Sequence, residues 1–95
     1  MYFSNMTHFL DESGNIPKEM PKEGRQMAAF LALAVDTTTQ NQQLTGNLRC
    51  FQKNCTGLIG TKFSPDRKVI EWKCQNCGTE GRISDWQRTQ WDNLK

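Results

Sequence analysis

One histidine, one tyrosine and three prolines stand among the 95 residues, and the longest apolar run is the nine residues from Met27 to Val35. A membrane-spanning helix needs about 20 apolar residues, so that run is far too short. No basic stretch leads into an apolar run near Met1, so no secretory leader is expected. His8 has no evident partner as a general base. No Ser–His–Asp set, phosphate-cradling glycine loop or carboxylate dyad accompanies it, and an enzyme is not expected. Strong charge of one sign is also missing: the net charge is +2. Residues 1–45 carry three basic and five acidic side chains, whereas residues 46–95 carry nine against five. That basicity is too slight for a strong non-specific nucleic-acid binder. Internal repeats and low-complexity tracts are absent as well.

What is present begins with size. A core this small supplies only roughly 3–5 kcal/mol in chains below about 80 residues, so a covalent or metal staple is expected. Four cysteines can provide it. Cys50 and Cys55 have four residues between them in the pattern C-x4-C, Cys74 and Cys77 form C-x2-C, and 18 residues lie between the pairs. Two close pairs flanking a hairpin of that length match a four-cysteine zinc site. Each pair sits on a tight turn that aims two thiolates one way, and the hairpin joins the turns into one tetrahedron of sulfurs about 2.3 Å from the ion. Gly57 and Gly78 follow the pairs, where the backbone reverses and amide N–H groups can point at the sulfurs. One structural Zn²⁺ is the expected cofactor, with iron in a rubredoxin-like electron carrier and two disulfides as alternatives. Retention in a reducing cytoplasm favours metal ligation over disulfides. Four protein ligands leave no open position for a catalytic water, so a closed site builds structure.

The flanking pattern predicts an α+β small zinc-bound domain: one N-terminal helix plus a three-stranded antiparallel zinc ribbon. Residues 1–45 form an N-terminal segment, and residues 46–95 form the ribbon with a C-terminal tail. Pro21 suits a first-turn position, and Met27, Phe30, Leu31, Ala34, Val35 and Thr38 recur at helical steps, which predicts a helix over 21–37. Thr37 to Gln43 then reads as a polar linker ended by Thr45-Gly46-Asn47. Residues 1–17 either lie across the domain with Phe9, Leu10 and Ile16 tucked under them or form a mobile arm. Ile59, Thr61 and Phe63 share one face of a first strand, and Ile70, Trp72 and Cys74 share one face of a second. Ser64–Lys68 is the loop between them, and Gly81–Ser84 the third strand.

Asp11–Pro17, Ile70–Gly78, Gly81–Trp86 and Trp91-Asp92 together resemble a group of small uncharacterised bacterial proteins within the broader zinc-ribbon class. The resemblance implies a shared fold and the four ligands, and no activity. Unlike transcription-elongation ribbons, the hairpin tip lacks paired acidic residues, with Asp66 followed by two basic ones. That argues against a polymerase active-site role. Candidate partner contacts are Phe51 and Lys53 on the first knuckle, and Trp86 and Trp91 as an aromatic platform beside Arg82 and Arg88. Core packing is the competing role for Trp86 and Trp91, and is the expectation for Trp72. Lys62, Arg67, Lys68 and Lys73 can line one side of the ribbon. The expected function is a non-enzymatic module binding a protein or a nucleic acid, with the protein favoured, and no membrane or small-molecule substrate. A structural subunit forming a homodimer through helix 21–37 is the alternative.

Overall fold

A computed structural model describes residues 1–41 and 48–94. The second half of the expected polar linker, residues 42–47, lies outside the described residues. Strand β1 is Tyr2–Asn5, followed by a 3-10 turn at Met6–Phe9, the helix α1 at Lys22–Asn41, and strands β2 (Ile59–Phe63), β3 (Ile70–Cys74) and β4 (Glu80–Ser84). The sheet order is β1-β4-β3-β2. β2, β3 and β4 form the expected antiparallel meander. The expected three-stranded ribbon is corrected by β1, which joins parallel to β4 with Tyr2 opposite Gly81 and Asn5 opposite Ser84. The sheet is therefore four-stranded and mixed. Four residues with no alternating pattern carry no strand signal of their own, and β1 exists because β4 offers it an edge.

Alternation along the strands decides which face is dry. Ile59, Thr61, Ile70, Trp72, Cys74, Gly81 and Ile83 are buried, while Lys62, Lys73 and Arg82 point outward. α1 covers the dry face with Ala28, Phe30, Leu31, Ala34 and Val35, and Met6 from the 3-10 turn is fully enclosed in the same cluster. Burying each large aliphatic side chain stabilises the fold by about 1.5–3 kcal/mol. The helical stripe that suggested a homodimer is thus taken up by the chain's own sheet, with Leu33 the large hydrophobic that α1 still exposes. Phe9, Leu10 and Ile16 pack against the cluster, as one of the two readings of residues 1–17 required.

α1 runs past the expected end at 37 because its threonines satisfy themselves. The Thr37 hydroxyl donates to Leu33 O at 2.9 Å and that of Thr39 to Val35 O at 2.7 Å. Thr38 is fully buried and reaches Thr61 Oγ1 on β2 at 2.5 Å. Hydroxyls bonded back to the preceding turn let polar β-branched residues stay helical and buried. The C-terminal segment then clasps this end: the backbone N–H of Asn93 donates to Thr39 Oγ1 at 3.1 Å, and Asn93 Nδ2 to Asp36 Oδ1 at 2.9 Å. Gln90 Nε2 reaches Gly14 O at 2.9 Å and Asn15 Oδ1 at 2.8 Å, tying the tail to the Asp11–Asn15 turn. None of the helices among the described residues is long and apolar enough to cross a membrane.

Candidate metal centre

The first knuckle is a miniature hairpin that leads into β2. Arg49 bridges Leu58, Cys50 N–H donates to Gly57 O at 2.9 Å, and Cys55 N–H donates to Gln52 O at 3.0 Å. The two extra residues of its C-x4-C spacing are absorbed by a turn in which Asn54 takes a left-handed φ of 64°, a conformation asparagine tolerates better than most residues. The second knuckle closes β3 onto β4. Cys74 N–H donates to Thr79 O at 2.7 Å, and Gly78, at φ 80°, returns its N–H to Cys74 O at 3.1 Å. Gln75 N–H donates to Leu58 O at 3.2 Å, which locks the second knuckle to the first.

These turns bring the four sulfurs together. Cys50 Sγ lies 3.7 Å from Cys77 Sγ, Cys55 Sγ lies 3.7 Å from Cys74 Sγ, and all four lie within 4.8 Å of one another. A tetrahedron with metal–sulfur bonds of about 2.3 Å has edges of about 3.8 Å, so the cluster has the dimensions to hold one metal ion. Bonded sulfurs would sit about 2.05 Å apart. All four cysteines are free thiols, and the disulfide alternative is corrected accordingly.

Hydrogen-bond donors surround the cluster. Gln52 N–H points at Cys50 Sγ (3.5 Å), Gly57 N–H at Cys55 Sγ (3.4 Å), and Asn76 N–H and Cys77 N–H at Cys74 Sγ (3.4 and 3.5 Å). The expectation for Gly57 holds, whereas the Gly78 N–H serves the turn instead of a sulfur. Gly57 has a second duty: a Cβ there would stand 2.7 Å from Cys74 Sγ and 2.5 Å from Asn76 Cβ, so only glycine lets the knuckles close. The spacing pattern gave no sign of two further contacts, from Asn76 Nδ2 to Cys55 Sγ at 3.7 Å and between Thr79 Oγ1 and Cys77 Sγ at 3.0 Å. Polar residues at Asn76, inside the second pair, and at Thr79, two positions beyond the last cysteine, are their traces in the sequence.

The four thiols differ in their readiness to ionise. Burial pushes Cys50 up to about 12, whereas the Thr79 hydroxyl and backbone pull exposed Cys77 down to about 6. Cys55 is lowered as well, chiefly by the Gly57 N–H and then by Asn76. Cys50 and Cys74 belong to the hydrophobic cluster while Cys77 faces solvent. The sulfur cluster is thus one corner of the core.

The candidate partner contacts do not gather. Phe51 rests edge-on against Phe30 (4.9 Å between ring centres), Tyr2 (5.4 Å) and Trp72 (5.6 Å), and is 36% exposed. Lys53 is exposed beside it. Trp86 is 3% exposed and packs 5.5 Å from Phe63, so its indole is core and does not form half of an aromatic platform. Trp91 is half-buried against the same cluster, and Arg88 is exposed with its N–H bonded to Asp92 Oδ2 at 2.8 Å. Arg82 lies on the open face of the sheet and shares Glu71 with Lys62, at 3.5 and 3.8 Å. His8 is exposed. Set against known protein families, curated proteins and solved structures, the chain matches none of them.

Proposed function

We propose that the chain is a non-enzymatic zinc-ribbon module in which Cys50, Cys55, Cys74 and Cys77 hold one structural Zn²⁺, and that the domain so built binds a macromolecule, a protein in preference to a nucleic acid. The observation that carries the reading is the convergence of four thiols, on two knuckles, at the spacing of a sulfur tetrahedron. Zinc takes such closed four-thiolate sets as structural sites. N–H groups aimed at the sulfurs temper the net charge of −2 that a divalent ion would leave on four thiolates. The same donor set also suits iron in an electron carrier. A colourless protein with one equivalent of zinc separates the two, and a red protein containing iron would replace this reading.

Preference for a protein partner rests on charge. Lys62 and Arg82 share Glu71, and Lys73 faces Glu80 across the strands, so the open face presents few unopposed cations. The experiment is a salt titration of binding to single- and double-stranded oligonucleotides. A nucleic-acid binder loses affinity steeply as salt rises, in proportion to the phosphates it neutralises. Submicromolar binding with that slope would reverse the preference.

A further inference from the structure

We infer that the free edge of β1 is a self-pairing surface, through which two copies of this chain join antiparallel about a two-fold axis at Phe3 into one continuous eight-stranded sheet. The inference concerns the β1 edge of the sheet, where Tyr2 packs on Phe51 and accepts from Gln52 Nε2 of the first knuckle, and it does not depend on which metal the cluster holds.

Three observations meet at this edge. The first is the direction of the backbone. A Cβ added at Gly81 would come within 2.7 Å of Tyr2 O, and Ser4 O accepts from Ser84 Oγ at 3.3 Å, so Tyr2 and Ser4 turn their carbonyls toward β4. Main-chain groups of successive residues in a strand point to opposite sides. The N–H and C=O of Phe3 therefore point away from β4, toward the side on which β1 is the last strand in the sheet order of the described residues.

The second is that the edge carries no blocking side chain, its shortness being the one device that limits pairing. Sheets commonly blunt their edges with lysine, proline or a bulge, and Tyr2-Phe3-Ser4-Asn5 contains none of these. The other edge differs: Ile59 N–H donates to Leu48 O at 2.8 Å, and Lys62 stands exposed on β2.

The third is self-complementarity, which selects a second copy over another partner. A two-fold axis normal to the sheet keeps the dry face dry, so a residue must pair with one of the same parity. Pairing Phe3 with the partner's Phe3 meets that condition, and its outward N–H and C=O then exchange two hydrogen bonds, as in a narrow antiparallel pair. Both Phe3 rings, each 76% exposed in the single chain, come side by side on the open face, with Arg82 of each copy in register behind them. On the other face Tyr2, 39% exposed against Phe51, lies opposite the partner's Ser4. No like charges face each other across the seam, because the strand carries none. A four-residue strand buries less than the roughly 1,200 Å² of a standard interface, so the dimer is a weak one, formed at high micromolar concentration.

The test is sedimentation equilibrium of the full metal-loaded chain over a concentration series reaching the millimolar range, with Phe3→Lys and Phe3→Pro beside the wild type. Lysine sets like charges against each other at the axis. Proline removes the outward N–H and leaves the bonds to β4 in place. The expected result is a reversible monomer–dimer equilibrium in the wild type, weakened at least tenfold by either variant, with metal content and near-ultraviolet circular dichroism unchanged. Should the proline variant fold poorly, the lysine variant and a concentration-dependent rise in hydrogen-exchange protection of the wild-type Phe3 amide decide the matter. A wild type that stays monomeric throughout overturns the inference. So does a dimer that survives both variants, or one abolished by Leu33→Ser on α1. Metal content, measured in the same samples, reads the zinc proposal separately.

Discussion

Around the sulfurs, each contact has a direction: a thiol must face three others at about one distance, and six N–H or hydroxyl groups must aim at them. Between α1 and the sheet, contacts are numerous and interchangeable, made of alanine, isoleucine and aromatic surface. Directional sites fail at single atoms, whereas apolar layers lose stability in proportion to what is removed. In this chain the two meet, because Cys50 and Cys74 belong both to the sulfur cluster and to the core.

Chelation, or Cys74→Ser, is the harshest way to separate the regions. Structural zinc contributes about 10–16 kcal/mol in small metal-folded units, more than a domain of this size has in reserve. Amide protection is expected to vanish through residues 48–86 by hydrogen exchange, with helical circular dichroism falling alongside because α1 loses the face it covers. A sheet that kept its protection without metal would show that the apolar layer suffices.

Trp72→Ala probes the layer itself. The indole is 2% exposed and touches Phe30, Phe51 and Tyr2. Its removal is expected to cost about 3–5 kcal/mol in denaturant unfolding, while zinc stoichiometry at saturating metal stays at one. Loss of the metal in step with stability would mean the two regions cannot be told apart.

Gly57→Ala attacks the seam between them, where a methyl group would collide with Cys74 Sγ at 2.7 Å. Overpacking of this kind costs about 1–3 kcal/mol, and here it is expected as weaker metal affinity in a competition titration. Unchanged affinity would show that the knuckles close without the close approach.

The mildest effect concerns pH. Thiols bind metal after releasing their protons, so affinity falls as pH falls. Cys50, raised to about 12, is still protonated at neutral pH in the metal-free site and adds to that slope, whereas Cys77, lowered to about 6, has already ionised and adds little. Thr79→Val removes the hydroxyl that lowers Cys77. Its thiol then regains a proton near neutrality, and zinc affinity is expected to fall more steeply between pH 8 and pH 6 than in the wild type, by up to about tenfold per unit for one additional proton. Parallel slopes in a competition titration would show that the hydroxyl does not control this thiol.

The four-cysteine cluster, the β2–β3 hairpin and the dry faces of β2 and β3 were legible in the sequence because each is a local spacing. C-x4-C and C-x2-C place sulfurs on turns, and a period of two places Ile59, Ile70 and Trp72 on one side. The last turn of α1 was not legible, since three consecutive threonines read as linker until Thr61 and the C-terminal segment supply their partners. Nor was the role of Trp86. Its position after β4 suited a surface platform as well as a core, and only the closeness of Phe63 decided between them.

The amino-acid order by itself determined which four atoms can share an ion, because those atoms are delivered by turns a few residues long. Tertiary structure decided that the sheet has a fourth strand. Tyr2 and Gly81 lie at opposite ends of the chain, and nothing local in Tyr2–Asn5 requires extended pairing. That strand depends on the backbone that β4 presents, the kind of non-local partner a reading along the chain does not contain.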